Sequence, residues 1–222
     1  DSDTECFIFF SSVKAVADVV VGDELVEDVT PAPVGPYGES KLMAEEYIMD
    51  YFRKDDERLK NKRVYILRPC MIHGPGNKGN LNLLYNVVKR GIPWPLGSFE
   101  NKRTFTSIEN ICFIINNLIK NKIPSGIYNV ADDEPVSTNR LIELISEVRG
   151  RKSRIINVSP GIIKRISRLG DMLHLPLNSL RLQKLIESYV VSNKKIKAAL
   201  GIDRLPISAE EGLIKTLNSF NE

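Results

Sequence analysis

Apolar positions along this chain alternate between short continuous runs and longer stretches in which they recur every three to four residues, as strands and helices do when they alternate. The first run, Cys6-Phe7-Ile8-Phe9-Phe10-Ser11-Ser12, has strand length and ends in two hydroxyls. A loop rich in acids and prolines follows from Gly22 to Pro36, and then a helix is expected from Tyr37 to about Lys54. Its apolar stripe is Met43, Tyr47 and Tyr51 with Ile48 and Phe52 beside it, while Glu39 and Glu46 face away. Val64-Tyr65-Ile66-Leu67 predicts a buried strand, and Leu81 to Arg90 a helix stopped by Gly91-Ile92-Pro93. Thr104 to Ile108 and Gly126 to Val130 are further strand runs, the first feeding a helix from Glu109 to Lys120. Ser137 is placed to cap a helix reaching Arg149, after which Gly150-Arg151-Lys152-Ser153 punctuates the chain. The rest is expected to be mostly helical: Ile162 to Leu173, Leu180 to Ile186, Asn193 to Leu200 and Ala209 to Phe220.

Composition narrows the class without naming a function. The 222 residues are 42% hydrophobic and 27% charged, an ordinary globular balance that allows one domain or two. The net charge is only +3, with Lys and Arg scattered rather than gathered with aromatics, so nucleic acid is not an expected partner. Cys6, Cys70 and Cys112 are too few and too far apart for a disulfide framework or a zinc motif and are expected in the core, and no metal is expected. The most hydrophobic stretch, Ile111 to Ile119, is short and interrupted by Asn116 and Asn117, so no membrane partner is expected. A cytoplasmic location is the expectation.

Chemistry concentrates in Tyr37-Gly38-Glu39-Ser40-Lys41. Residues four apart share a helix face. A phenol is a poor base at neutral pH because its ordinary pKa is about 10, and a cation beside it favours the phenolate. Tyr and Lys are common helix residues, and the pair gains weight from the strand ending in Ser11-Ser12, since ligands in α/β sheets sit at strand ends.

The ordered set Phe7-Ile8-Phe9-Phe10-Ser11-Ser12, Pro36-Tyr37-Gly38-Glu39-Ser40-Lys41, Leu67-Arg68-Pro69 and His73-Gly74-Pro75-Gly76 resembles the extended short-chain dehydrogenase/reductase family. Its nucleotide-sugar 4-epimerases and related reductases are the nearest likeness, from about residue 6 to the C-terminus. The resemblance implies an α/β fold: a partial Rossmann-type parallel sheet lacking its N-terminal half, with a mixed, mostly helical substrate-binding lobe. Residues 1–72 plus 104–131 would form the Rossmann part, and 73–103 plus 132–222 the lobe. The family's Gly-x-x-Gly-x-x-Gly phosphate turn occurs nowhere in these 222 residues. The chain opens on what would be a middle strand, so roughly the first hundred residues of a family member, most of one βαβαβ half, are expected to be missing and the chain alone to be inactive.

Carried over position by position, the resemblance implies three catalytic residues. Ser12 would hydrogen-bond the substrate hydroxyl, Tyr37 would be the base, and Lys41 would favour its phenolate and bond the nicotinamide ribose. Ser11 is expected to be a structural hydroxyl. The cofactor implied is NAD, contacted by Tyr37, Lys41 and the backbone from Pro69 to Ile72, with NADP if a reductase reading holds; His73, in a Gly-Pro-Gly turn, suits either a structural or a ribose-side contact. Here the chain departs from the pattern: Met71 or Ile72 stands where many relatives carry Asn, and His73 where they carry Tyr. On the substrate side the resemblance implies a diphosphate at Asn80 and Leu81, where a helix opens, although Asn80 also suits a plain N-cap. It further implies a uracil held by backbone contacts around Leu96, an arginine grip by Arg103, and a second phosphate contact at Lys184. Lys14 either lines the pocket or is solvated, and Trp94 either stacks on the base or packs. Asn110 replaces a common Asp, and His174 is expected to be inert.

The activity implied is NAD-dependent 4-epimerisation of a UDP-hexose or UDP-N-acetylhexosamine through a 4-keto intermediate, for cell-surface polysaccharide synthesis, with the complete protein a homodimer. A 4-keto-sugar reductase or 4,6-dehydratase would use the same Ser, Tyr and Lys. A non-catalytic interaction protein derived from the fold, or one half of a split enzyme, is the reading from another class.

Overall fold

The computed structural model describes residues 4–54, 59, 61–172 and 178–221. Its centre is a parallel sheet in the order β1 (Cys6–Phe10), β2 (Arg63–Pro69), β5 (Gly126–Val130). β2 lies in the middle, and Val64 to Pro69 are buried, as expected of an apolar run with neighbours on both edges and cover on both faces. Register is continuous, with Phe10 opposite Leu67 and Leu67 opposite Tyr128. The α1 helix (Pro36–Phe52) links β1 to β2, the crossover a parallel pair requires. A short pair, β3 (Met71–His73) and β4 (Phe105–Ser107), accompanies it, and β4 runs into α3 (Ile108–Lys120), whose first turn is capped by Ser107.

The chain divides into two compact units. The first comprises the described parts of residues 1–72, 104–133 and 190–208, and α7 (Lys194–Leu200) belongs to it. Residues 190–208 were expected in the substrate lobe, and the reason for the difference is local. Ile196 and Leu205 are buried in a cluster with Tyr65, Leu67, Ile114, Leu118 and Tyr128, and Asn193 donates to the Ala131 carbonyl at 2.9 Å. Residues 132 and 133 follow β5 into the same unit. There Asp133 accepts from Lys197 at 2.7 Å, Asn193 at 2.8 Å and the Leu205 N–H at 2.9 Å. Burial pushes the Asp133 carboxyl up, but these hydrogen bonds and the Lys197 charge outweigh it, and its pKa lies below the ordinary 3.8.

The second unit comprises the described parts of residues 73–103, 134–189 and 209–222. It holds α2 (Asn80–Lys89), α4 (Thr138–Val148), α5 (Pro160–Met172), α6 (Ser179–Ile186) and α8 (Ala209–Asn218). Its core is Trp94, Leu96, Ile142, Ile163 and Leu182. Ser137 caps α4 as expected, accepting from the Arg140 N–H at 3.0 Å. Arg140 ties α4 to α8 through Glu210 at 2.8 Å and reaches Glu147 on its own helix at 2.8 Å. Those bonds hold the Glu210 carboxyl below its usual range.

Two expectations about side chains fail. The stripe assigned to the inner face of α1 lies outside: Met43 is 69% and Tyr47 73% exposed, and Tyr51 is exposed too. The inward line instead runs through Gly38, Lys41, Leu42, Glu45, Ile48 and Phe52. Cys112 is exposed on α3, because Ile111, Ile114 and Leu118 occupy that helix's buried face. Cys70 is half-buried, yet desolvation at its thiol, which lies 3.2 Å from the Thr104 hydroxyl, pushes its pKa up to about 12. Leu173 and His174 lie outside the described residues.

Candidate functional site

Three stretches distant in sequence meet at the C-terminal end of β1. The strand ends in Ser11 and Ser12, and the chain turns at once into a 3₁₀ turn, Val13–Ala15, capped by the Ser12 hydroxyl, which accepts from the Lys14 N–H at 3.2 Å. α1 begins behind a glycine with positive φ, Gly35 at +86°, and Pro36 opens its first turn, where a missing N–H costs nothing. Gly38 then permits the approach. A β-carbon there would stand 2.4 Å from the Lys14 carbonyl oxygen and 2.9 Å from Pro33, so only glycine lets the helix start lie flush on the turn after Ser12.

Tyr37, Lys41 and Glu45 follow one another at intervals of four and so share a line along α1. Their environments differ sharply. Tyr37 is 59% exposed, its ring open to an incoming ligand. Lys41 donates to the Phe10 carbonyl at 2.9 Å and lies 5.1 Å from the Phe9 ring centre, which pins its ammonium to the end of β1. Glu45 is fully buried and takes a fork from Arg68 on β2, with Nε at 3.0 and 3.1 Å and Nη2 at 2.5 Å, and the Ser11 hydroxyl donates to it as well. This pair ties α1, the end of β1 and the end of β2 together directly behind Ser12 and Lys41. Sequence reasoning missed both Glu45 and Arg68. The signal was an arginine inside a buried strand, which demands a partner, and a glutamate one turn beyond Lys41.

The remaining candidates are placed as follows. Lys14 carries its ammonium to Asp18, 2.8 Å from Oδ1, so its charge is already matched one turn along the chain. Pro69 is buried at the end of β2, and Ile72 is exposed on β3. His73 is 1% exposed, its Nδ1 2.9 Å from the Thr216 hydroxyl, which makes it a core residue of the second unit rather than a ligand contact. Asn80 is exposed at the first position of α2, and the N-cap itself is Gly79. Leu81 and Leu96 are buried, and Trp94 packs in the core beside Leu96.

Arg103 does not present an unengaged guanidinium. Its Nε donates to the Glu187 carbonyl at 3.2 Å and its Nη2 to the Lys184 carbonyl, closing the C-terminal end of α6, where a cation complements the helix dipole. Burial lowers its pKa, and the nearby Glu187 partly restores it. The Lys184 side chain is exposed. Asn110 has a physical reason to be an amide: it donates to buried Asp132 at 2.8 Å and to the Ile207 carbonyl at 3.0 Å, where an aspartate would set two carboxylates together. Among the described residues no cluster fit to hold a metal ion occurs, and no helix is long and apolar enough to cross a membrane.

Residues 1–157 match the model of the 3-beta hydroxysteroid dehydrogenase/isomerase family. The UDP-glucose 4-epimerase of Vibrio cholerae is 35% identical over 145 residues, 64% of this chain and 43% of that protein. The N-acetyl-alpha-D-glucosaminyl-diphospho-ditrans,octacis-undecaprenol 4-epimerase of Escherichia coli O157:H7 is 27% identical over 122 residues, 54% of this chain and 36% of that protein. The chain thus spans less than half the length of these relatives. Among solved structures, UDP-glucose 4-epimerase of Thermotoga maritima superposes with a TM-score of 0.68 at 20% identity, covering 98% of this chain and 63% of that one. UDP-glucuronic acid 4-epimerase of Bacillus cereus, in complex with NAD, superposes at 0.69 and 17% identity, covering 98% and 61%. The chain belongs to the 3-beta hydroxysteroid dehydrogenase/isomerase family. The two curated relatives named above are 4-epimerases, in keeping with the likeness to the extended short-chain dehydrogenase/reductase family read from the sequence.

Proposed function

We propose that this chain carries the proton-transfer half of a nucleotide-sugar 4-epimerase, with Tyr37 as base, Ser12 as the hydroxyl that orients the sugar, and Lys41 as the cation beside them. The observation that carries the reading is the convergence at the end of β1, where Gly38 seats the start of α1 on the turn after Ser12 and Lys41 bonds Phe10. An exposed phenol one helical turn before a fixed ammonium suits proton removal from a sugar hydroxyl.

The groups present fit a nicotinamide dinucleotide in part: Tyr37 and Ile72 are open to solvent, whereas His73 is enclosed and is dropped from the set. NAD, when bound, supplies the acceptor and donor of the hydride. Tyr37 takes the proton from the C4 hydroxyl and returns it after the 4-keto sugar has turned over, and Ser12 holds the C4 oxygen through both steps. Asn80 and the open first turn of α2 with Leu81 receive the diphosphate, and the backbone around Leu96 receives the base. Arg103 adds charge to that anchor while its Nε and Nη2 remain on α6, with Lys184 at the same helix end. A firmly held diphosphate with a loosely held sugar is what turning over requires. A homodimer and an NAD requirement belong to the same proposal, the latter supported by the NAD bound in the UDP-glucuronic acid 4-epimerase of Bacillus cereus.

The test is the natural full-length polypeptide that carries this chain, incubated with UDP-glucose or UDP-N-acetylglucosamine and NAD. The expected result is interconversion of gluco and galacto forms with no net change in NAD. Stoichiometric oxidation of NADPH with a 4-keto sugar, and no interconversion, would replace the epimerase by a reductase.

A further inference from the structure

A cavity of about 420 Å³ opens in the second unit, sharing no residue with the candidate site. Val88 of α2, Ile92 just after it and Ile142 of α4 give it an apolar lining, and Arg149, Arg151, Lys152 and Arg154 line it too, with no carboxylate among the described lining residues. The expectation of scattered cations fails here, because four of them line one depression in a chain whose whole net charge is +3.

The basic lining is built rather than loose. Gly150 adopts φ +62°, reversing the chain so that its N–H bonds the Glu147 carbonyl at 2.9 Å and the Arg151 N–H bonds the Ser146 carbonyl at 2.9 Å. The Arg154 carbonyl accepts from the Trp94 N–H at 2.8 Å, and its side chain reaches the Gly91 carbonyl at 3.4 Å. Arg149 is held against Tyr85, 2.8 Å from its hydroxyl and over its ring at 5.5 Å. The ends of α2 and α4 attract cations, but a helix C-terminus carries only about half a negative charge. Arg151, Lys152 and Arg154 line the same depression as the apolar Val88, Ile92 and Ile142.

We propose that this cavity binds a phosphate ester, its phosphate held by Arg151, Lys152 and Arg154 and its apolar part seated on Val88, Ile92 and Ile142. Guanidinium groups suit a phosphate because they form paired hydrogen bonds to its oxygens. The volume falls within the range of about 300–1,000 Å³ usual for small-molecule sites. A soluble phosphate ester and a phospholipid headgroup share this chemistry. The inference does not depend on the epimerase reading.

The test uses the natural full-length polypeptide, titrated calorimetrically with inorganic phosphate and with hexyl phosphate, and sedimented with vesicles of phosphatidylcholine with or without phosphatidylglycerol. Hexyl phosphate should bind several-fold more tightly than inorganic phosphate, weaken as salt rises, and weaken at least tenfold in the double variant Arg151→Gln, Lys152→Gln. Both variants are at exposed turn positions, so the fold should persist. Sedimentation with phosphatidylglycerol vesicles, lost in the double variant, assigns the phosphate to a lipid, and hexyl phosphate binding without sedimentation assigns it to a soluble ester. Absence of binding to both probes overturns the proposal, as does binding that survives the double variant but falls in Arg103→Ala.

Discussion

The end of β1 and the α2–α6 region of the second unit were both expected to supply site residues, and the fold treats them differently. At β1 the side chains arrive already tied to one another: Ser11 and Arg68 hold Glu45, Phe10 holds Lys41, and Gly38 sets the helix on the turn after Ser12. In the second unit the expected set is spread between roles. Leu81 and Leu96 are core, Asn80 and Lys184 are exposed, and Arg103 is bonded to two carbonyls at the end of α6. The proton-transfer set proposed at β1 would need to be placed to within a fraction of an ångström, which fixing by buried charge and close backbone contact suits. An anchor for a flexible diphosphate can be drawn from exposed helix starts and surface cations.

That contrast breaks most visibly at Glu45. Glu45→Ala leaves Arg68 as an uncompensated buried charge and should cost about 3–5 kcal/mol of stability. Urea unfolding checks this. Glu45→Gln, which keeps one acceptor and the side-chain shape, should cost less. A loss near zero in Glu45→Ala would mean that the β1 end is not held by this pair.

Arg103 sharpens the other side. Removing its bonds to the Lys184 and Glu187 carbonyls in Arg103→Ala should lower stability by about 1.5–3 kcal/mol, the usual worth of hydrogen bonds to a charged group. Calorimetry with UDP on the full-length polypeptide should also show weaker binding. Lower stability with unchanged UDP affinity would confine Arg103 to closing α6 and leave the anchor to Asn80 and Lys184.

The smallest expected effect is a pH dependence. Asp133 has a folded pKa below its ordinary value, so its contribution is fully present above 3.8 and is lost as pH falls through the folded value. Asp133→Asn should flatten the acid limb of the stability profile between those two points, without affecting its slope at neutral pH. An unchanged acid limb would show that Lys197 and Asn193 do not hold the carboxylate in solution.

Much of the fold was legible because strands such as Tyr65 to Leu67 and helices such as α4 follow apolar period and capping chemistry, which are local. The Ser137 cap and the β5 run from Gly126 to Val130 appear as expected. What failed depended on partners far along the chain. Hydropathy favoured Met43, Tyr47 and Tyr51 as the inner face of α1, yet the inner line carries Lys41 and Glu45, whose partners Phe10 and Arg68 lie 31 and 23 residues away. Residues 190–208 fell in the lobe that the resemblance implied, while Ile196 and Leu205 belong to the core around Tyr65. Within the candidate site, the family resemblance pointed to Ser12, Tyr37 and Lys41 and left His73 either structural or a ribose contact; what neither it nor the spacing indicated was that Arg103 would be engaged by carbonyls at the end of α6, while His73 is enclosed on Thr216.

The central claim is that the phenol at the exposed start of α1 moves the proton, and Tyr37→Phe in the full-length polypeptide tests it most directly. Tyr37 is 59% exposed, so its hydroxyl can be removed with little loss of packing. Turnover of UDP-glucose should fall by ~10²–10⁴-fold or more while UDP-glucose affinity and the unfolding midpoint stay unchanged. Turnover near that of the unaltered protein, with UDP-glucose still bound, would contradict the claim and move the base elsewhere.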